Sequence, residues 1–270
     1  MEKIIKEIIK NKIINIKKMG NSYSSNVYLV TLENSKCIFK VIKTLSKREV
    51  ESNALIKLNR YINTPLYIDS GIYNDINYVI MEYIEGKNYN DYEANKLTLS
   101  NLKDISKLLK KFHSIPITTE EDNWISYLVS RLNTAYKVLN EFSFNEFIYN
   151  KLMYDLNNYI NSNYTKAILH MDFRLGNLIF NNKIYLIDFE SVKVGDPVFD
   201  FVKIKRLLSD KQFNILLDNY DYINDDFYKK LDFYNLFDAY TALEWCVNNN
   251  QINSDYYNIN LKEVKKYAKR

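Results

Sequence analysis

Glycine and proline are scarce in this chain, 5 and 3 among 270 residues. That leaves no room for a Gly- or Pro-rich linker, and no repeat or low-complexity segment interrupts the sequence. The 2 cysteines, Cys37 and Cys246, lie far apart and form neither a CxxC pair nor a disulfide framework. A reducing compartment, the cytoplasm, is therefore expected. The 2 histidines, His113 and His170, have no cysteine near them, so there is no case for a zinc site. No apolar run approaches a membrane span and no signal-peptide pattern is present, so neither membrane insertion nor secretion is expected. The net charge of +4 is too small to argue for nucleic acid. The whole surplus falls between Met1 and Glu85, which weakly favours an anionic ligand there.

What is present is an ordinary globular composition, 47% hydrophobic and 26% charged, long enough for one large domain or two smaller ones with real cores. Paired isoleucines (Ile4, Ile5, Ile8, Ile9, Ile13, Ile14) alternate with lysines and draw an apolar stripe down one helix face. The expectation is a terminal helix packed on its own domain, with a membrane-surface helix as the alternative. Gly20 to Ser25, followed by Val27, Leu29 and Leu32, reads as strand, turn, strand, and Cys37 to Ile42 as a further strand. A charged helix is predicted from Lys47 to Arg60. Tyr78 to Ile84 reads as a buried strand ending at Glu85-Gly86, where the glycine can serve as a hinge. Helices are predicted at Leu97 to His113, Trp124 to Asn163, Asp200 to Leu208, Asp210 to Asn219 and Phe227 to Asn248. The division expected is a small β-rich part, residues 1–85, and a larger helical part, residues 86–270.

The most informative stretch is Leu169-His170-Met171-Asp172-Phe173-Arg174-Leu175-Gly176-Asn177, followed by Ile187-Asp188-Phe189-Glu190. Asp172, Asn177 and Asp188 come in the order that phosphoryl transfer by kinases requires: one Asp to orient the attacking hydroxyl, then an Asn and an Asp to hold magnesium on the nucleotide phosphates. Taken singly, each reads as a surface or turn residue; the ordered triple is what carries the signal. Lys40 sits inside an apolar strand, where its ammonium needs a partner. Glu51, on the inward face with Leu55 and Leu58, is the first candidate and Glu49 the fallback. A snorkelling edge-strand lysine is the plain alternative. The Gly20–Ser25 turn, with Ser22 and Ser25, could cover phosphates, although its single glycine also suits an ordinary hairpin.

His170 reads as a structural residue beneath the loop and His113 as a helix cap. Asp196 and Asp200 read as support by capping. Downstream, Asp225, Asp226, Asp238, Glu244 and Trp245 belong to an acidic and aromatic stretch suited to a cationic substrate. The plainer reading of that stretch is a solvated helix face over an aromatic core.

Leu169 to Asp172, Asn177 to Phe180, Ile187 to Glu190 and Gly195-Asp196-Pro197-Val198-Phe199-Asp200 together resemble the aminoglycoside phosphotransferase and choline kinase superfamily. The resemblance runs from about Ile16 to Trp245. It implies an α+β, protein-kinase-like two-lobed fold with a small β-rich N-lobe and a larger, mainly helical C-lobe. It also implies ATP, with GTP as the alternative, and Mg²⁺. By position, Asp172 would orient or deprotonate the acceptor hydroxyl, and Asn177 and Asp188 would bind Mg²⁺. Lys40 with Glu51 would hold the phosphates, Glu82 and Ile84 would meet the adenine through their backbone, and Met81 would line the pocket. An aminoglycoside is the first acceptor expected, because Gly-Asp-Pro resembles that branch. Choline, ethanolamine or another metabolite, or a non-catalytic nucleotide-binding module, are the alternatives, and a monomer or homodimer is expected. The family commonly has glycine where Met171 stands, a position of strain if its φ is positive.

Overall fold

The structure is a computed structural model that describes every residue except 20–24, 118–122, 161–163, 219, 221–222, 224 and 269–270. In chain order the first elements are α1 (Glu2–Ile8), β1 (Ile13–Met19), β2 (Ser25–Leu32), β3 (Lys36–Ile42), α2 (Leu45–Leu58), β4 (Tyr67–Tyr73), β5 (Ile76–Glu82), β6 (Lys87–Asn88) and α3 (Leu99–His113). Then come α4 (Trp124–Val138), α5 (Asn145–Asp155), β7 (Ala167–Leu169), β8 (Leu178–Phe180), β9 (Ile184–Leu186), β10 (Lys193–Gly195), α6 (Phe201–Leu207), α7 (Asp210–Leu217), α8 (Asp225–Asn248) and α9 (Asp255–Ala268). The fold is α+β.

The chain forms two compact units: Met1–Phe112 with His170–Val192, and His113–Leu169 with Lys193–Arg270. Glu85-Gly86 lies inside the first unit, which takes back the segment carrying Asp172 and Asp188.

The first unit is built on a five-stranded antiparallel sheet in the order β1-β2-β3-β5-β4. Ile5 and Ile9 pack with Val30, Cys37, Phe39, Tyr78 and Ile80 on this sheet, so the N-terminal helix covers its own domain. It is shorter than its isoleucine stripe predicts. The chain is extended by Ile9, and Ile13–Met19 pairs with β2 instead. Paired isoleucines suit a strand as readily as a helix once a neighbouring strand offers its ladder. Strand β4 is absent from the expectations. Its hairpin with β5 turns at Asn74 and Asp75, both at positive φ (47° and 62°), as a two-residue hairpin turn requires. In the smaller sheet β6-β8-β9, Asn177 immediately precedes β8 and Asp188 follows shortly after β9.

In the second unit α8 packs against α4, α5, α6 and α9. Its core is aromatic, with Trp124, Phe201, Phe227, Tyr234, Phe237 and Tyr240 buried. Gly195 ends β10, and a Cβ there would run into the Trp124 ring. That close approach explains the glycine of Gly-Asp-Pro. Helix α9 was not foreseen, though its buried Tyr257, Asn260, Val264 and Tyr267 recur at helical spacing. Among the described residues no helix is long and apolar enough to cross a membrane.

Candidate active site

Lys40 stands in the middle of β3, opposite Val27 on β2 and Val79 on β5. Its side chain is only 5% exposed, and three carboxylates converge on its ammonium: Asp188 at 2.6 Å, Glu51 at 2.9 Å and Glu190 at 3.6 Å. Glu51 reaches it from α2, and Glu190 also takes Lys47 at 2.8 Å. Burial opposes the charge on Lys40, but Glu51, Asp188 and Glu190 together outweigh it and hold the ammonium's pKa above its ordinary value. Burial pushes the Glu51 carboxyl up by more than Lys40 pulls it down. For Asp188 the balance reverses: burial opposes ionisation, and Lys40 still draws the pKa below the usual carboxylate range.

This cluster has carboxylate capacity to spare. Glu51 Oε1 and Glu190 Oε2 are buried without a hydrogen-bond partner, Glu190 Oε2 being the oxygen that stands 3.6 Å from the Lys40 ammonium. Among the described residues, Glu51, Asp188 and Glu190 are the acids grouped closely enough to hold a cation, their oxygens within 4.8 Å of one another. Lys40 already supplies a positive charge there.

The two loop aspartates are tied together through one residue. Ile187 N–H donates to Asn177 O (3.1 Å), and Ile187 O accepts from His170 Nε2 (2.9 Å). His170 Nδ1 in turn accepts from Asp172 N–H (3.3 Å). A carbonyl can only accept and an amide N–H only donate, so the imidazole hydrogen is on Nε2. The wholly buried His170 thus joins the turn before Asp172 to the turn before Asp188. Both turns are left-handed at a non-glycine residue, Met171 at φ 68° and Asp188 at φ 71°. The positive φ suspected at Met171 is present, and its side chain is buried. Such conformations cost on the order of 1–3 kcal/mol each and persist where surrounding bonds over-determine them.

Asn177 closes a short 3₁₀ turn, Leu175–Asn177. Its amide nitrogen donates to Asp172 O (2.8 Å) and to Asp172 Oδ2 (2.9 Å). This turns its Oδ1 away from Asp172. The amide oxygen of Asn177 and the carboxylate of Asp188 are hard oxygen donors, the chemistry a small divalent cation takes. Arg174 Nε also lies on Asp172 Oδ2, at 3.2 Å, a contact that was not anticipated. Its only sequence signal is a basic residue two positions after the aspartate.

The remaining candidates divide. Met81 is buried in β5. Glu82 spends its N–H on Leu66 O (2.9 Å), and Ile84 follows the strand end, buried. Ser25 is a buried first residue of β2, paired with Ile42, so it is part of the sheet; Ser22 lies outside the described residues. Glu49 is exposed and lies near Arg48 (3.6 Å), leaving Glu51 as the partner of Lys40.

In the second unit Asp238 and Glu244 are buried, each against an arginine at 2.6 Å, Arg206 and Arg131 respectively. Neither presents a bare carboxylate. Asp225 opens α8, and Asp226 lies 3.8 Å from Lys229. Trp245 meets Tyr256 edge to face, with ring centroids 6.1 Å apart. His113 does more than cap a helix, since its ring is buried and bonds Asp200 (3.1 Å) and Tyr220 (2.8 Å). Asp196 caps the turn after β10 by accepting from Val198 N–H (3.0 Å).

The phosphotransferase enzyme family's profile matches residues 15–230. The chain belongs to that family. It is a small-molecule phosphotransferase with the kinase-like fold of the family. No curated protein matches it. Solved structures of similar fold include an ADP-bound aminoglycoside phosphotransferase, APH(2'')-Ib, at TM-score 0.70 and 20% identity, covering 99% of this chain and 95% of that one. The choline kinase LicA from Streptococcus pneumoniae is similar at TM-score 0.75 and 18% identity, covering 99% of each. A putative fructosamine-3-kinase from Haemophilus somnus is similar at TM-score 0.74 and 16% identity, covering 99% and 97%. At these identities the likeness establishes the fold and leaves the acceptor open.

Proposed function

We propose that this phosphotransferase moves the γ-phosphoryl group of ATP directly to a hydroxyl of a small cationic molecule, with an aminoglycoside as the first acceptor class. The observation that carries the reading is the convergence of Glu51, Asp188 and Glu190 on Lys40, in the same compact unit as Asp172 and Asn177. Lys40, steadied by Glu51, would hold the nucleotide phosphates. Asn177 Oδ1 and Asp188 would hold Mg²⁺, which when bound neutralises charge on the phosphates. Asp172 would orient the acceptor hydroxyl and take its proton, with Asn177 and Arg174 fixing its carboxylate. Met81, Glu82 and Ile84 would line the adenine site. Positioning and charge neutralisation are the catalytic work here.

A polycationic acceptor finds fewer bare acids than the sequence promised, because Asp238 and Glu244 already have arginines. One observation favours a second reading, a quaternary ammonium such as choline: Trp245 and Tyr256 form an edge-to-face aromatic pair. A binding module without turnover is disfavoured by the intact set of Lys40, Asp172, Asn177 and Asp188.

The deciding experiment is Mg²⁺-dependent nucleotide consumption across aminoglycosides, choline, ethanolamine and sugar metabolites, with Asp172→Asn as control. One strong acceptor, silent in the variant, names the branch. Bound nucleotide with no turnover on any acceptor would favour the binding module.

A further inference from the structure

Asn177 is bracketed by a side chain from elsewhere in the same unit. Asn88, at the end of β6, sends both hydrogens of its amide to the catalytic loop: Nδ2 donates to Gly176 O (2.9 Å) and to Leu178 O (2.8 Å). These are the carbonyls of the residues immediately before and after Asn177. Strand β6 reaches this position because it pairs with β8, Lys87 opposite Phe180 and Asn88 opposite Ile179. Gly86 permits the pairing, since a Cβ there would come within 2.7 Å of Ile179 Cγ2 and of Phe180 O. The glycine that reads as a hinge in the sequence is therefore required for close approach to β8.

We propose that Asn88 is a positioning residue for the metal-binding side chain of Asn177. It touches neither phosphate nor acceptor in this role. It fixes the peptides Gly176–Asn177 and Leu178–Ile179, while Ile187 N–H holds the carbonyl of Asn177 itself, and Asn177 passes that order on through its own bonds to Asp172 O and Oδ2. An amide with two donors is the group for this task. Alanine would leave two carbonyls without their donor, and aspartate would set an acceptor against both. Groups that orient a metal ligand without touching the metal typically change metal affinity by about 10–100-fold. Asn88 itself is exposed, so water can take over part of its donation, and Asn88→Ala should cost only about 1 kcal/mol of stability.

The inference rests on the kinase-site reading given above, so its test is a binding measurement that needs no acceptor. ADP affinity is measured by calorimetry with and without Mg²⁺ for wild type, Asn88→Ala and Asn88→Asp, with melting temperature alongside. The expected result is a loss of about tenfold in Mg²⁺-supported ADP binding in Asn88→Ala, and more in Asn88→Asp. Metal-free ADP affinity should stay near wild type, and the melting temperature should fall by no more than about 5 °C in Asn88→Ala. Equal losses with and without Mg²⁺ would overturn the proposal and make Asn88 a nucleotide contact or a purely structural residue. No loss in either condition would overturn it too. A wild-type protein whose ADP affinity ignores Mg²⁺ would overturn both the inference and the site reading beneath it. A Mg²⁺ response in wild type that survives in both variants would overturn the inference alone.

Discussion

Both compact units bury carboxylates, and they treat them differently. In the second unit Asp238 has Arg206 and Glu244 has Arg131, one cation for each acid. In the first, Glu51, Asp188 and Glu190 share Lys40 and Lys47, and two of their buried oxygens have no hydrogen-bond partner. A pair that is matched one to one holds helices in place and asks for nothing more. A cluster with more carboxylate than cation is costly as it stands and gains by receiving further positive charge. Asp196 in the second unit also keeps a buried oxygen without a hydrogen-bond partner, with Lys230 at 3.4 Å, so what sets the first unit's cluster apart is that three acids share its cations.

The largest break in that contrast should come at Asp172. Asp172→Asn is expected to lower turnover by about 10²–10⁴-fold while nucleotide binding persists. Steady-state rates beside calorimetric ADP affinity check this, and near-normal turnover would remove Asp172 from the chemistry.

Lys40→Met tests the crowded cluster directly. Three carboxylates would lose their shared cation, at a cost of about 3–5 kcal/mol. The pH dependence has a definite sign. Without Lys40, burial raises the Glu51 carboxyl further and Asp188 loses the cation that drew its pKa down, so the folded protein binds extra protons. Stability is then retained at low pH and lost as pH rises through the raised values. The deficit in melting temperature against wild type should be larger at pH 8 than at pH 5. An equal deficit at both would mean that the acids are not what Lys40 serves.

Arg206→Met tests the matched pair in the second unit. It should cost about 3 kcal/mol, by leaving Asp238 buried without its cation, and should leave Mg²⁺-supported ADP binding unchanged. Denaturant melts and ADP titrations report the two effects separately. A loss of ADP binding at constant stability would blur the framework and site distinction.

The smallest effect concerns strain. Met171→Gly and Met171→Ala both remove the buried side chain, but only glycine relieves the positive φ. The glycine variant should therefore be the more stable of the two by about 1 kcal/mol. Equal stability would mean that the backbone at residue 171 carries no strain.

Much of the site was legible because its parts are local in sequence or follow from burial. The Asp172, Asn177 and Asp188 order is a matter of spacing. A lysine inside an apolar strand must have a partner, and helical periodicity points Glu51 toward it more readily than Glu49. Other features were hidden for physical reasons. Ile13 to Met19 reads equally as helix or strand until β2 supplies a ladder. Nothing about Asn88 in the sequence shows that it lies opposite Ile179. The acids of α8 looked available because their neutralising partners, Arg131 and Arg206, come from α4 and α6.

By itself, then, the sequence determined the phosphotransferase chemistry and the identity of Lys40, Glu51, Asp172, Asn177 and Asp188 as candidates, since those depend on residue type, order and period. Only the tertiary structure decided which carboxylates are crowded and which are matched, that His170 joins the turns of the two aspartates, and that Asn88 brackets Asn177. Those properties depend on distances between residues far apart along the chain, and such distances arise only when strands pair and helices pack.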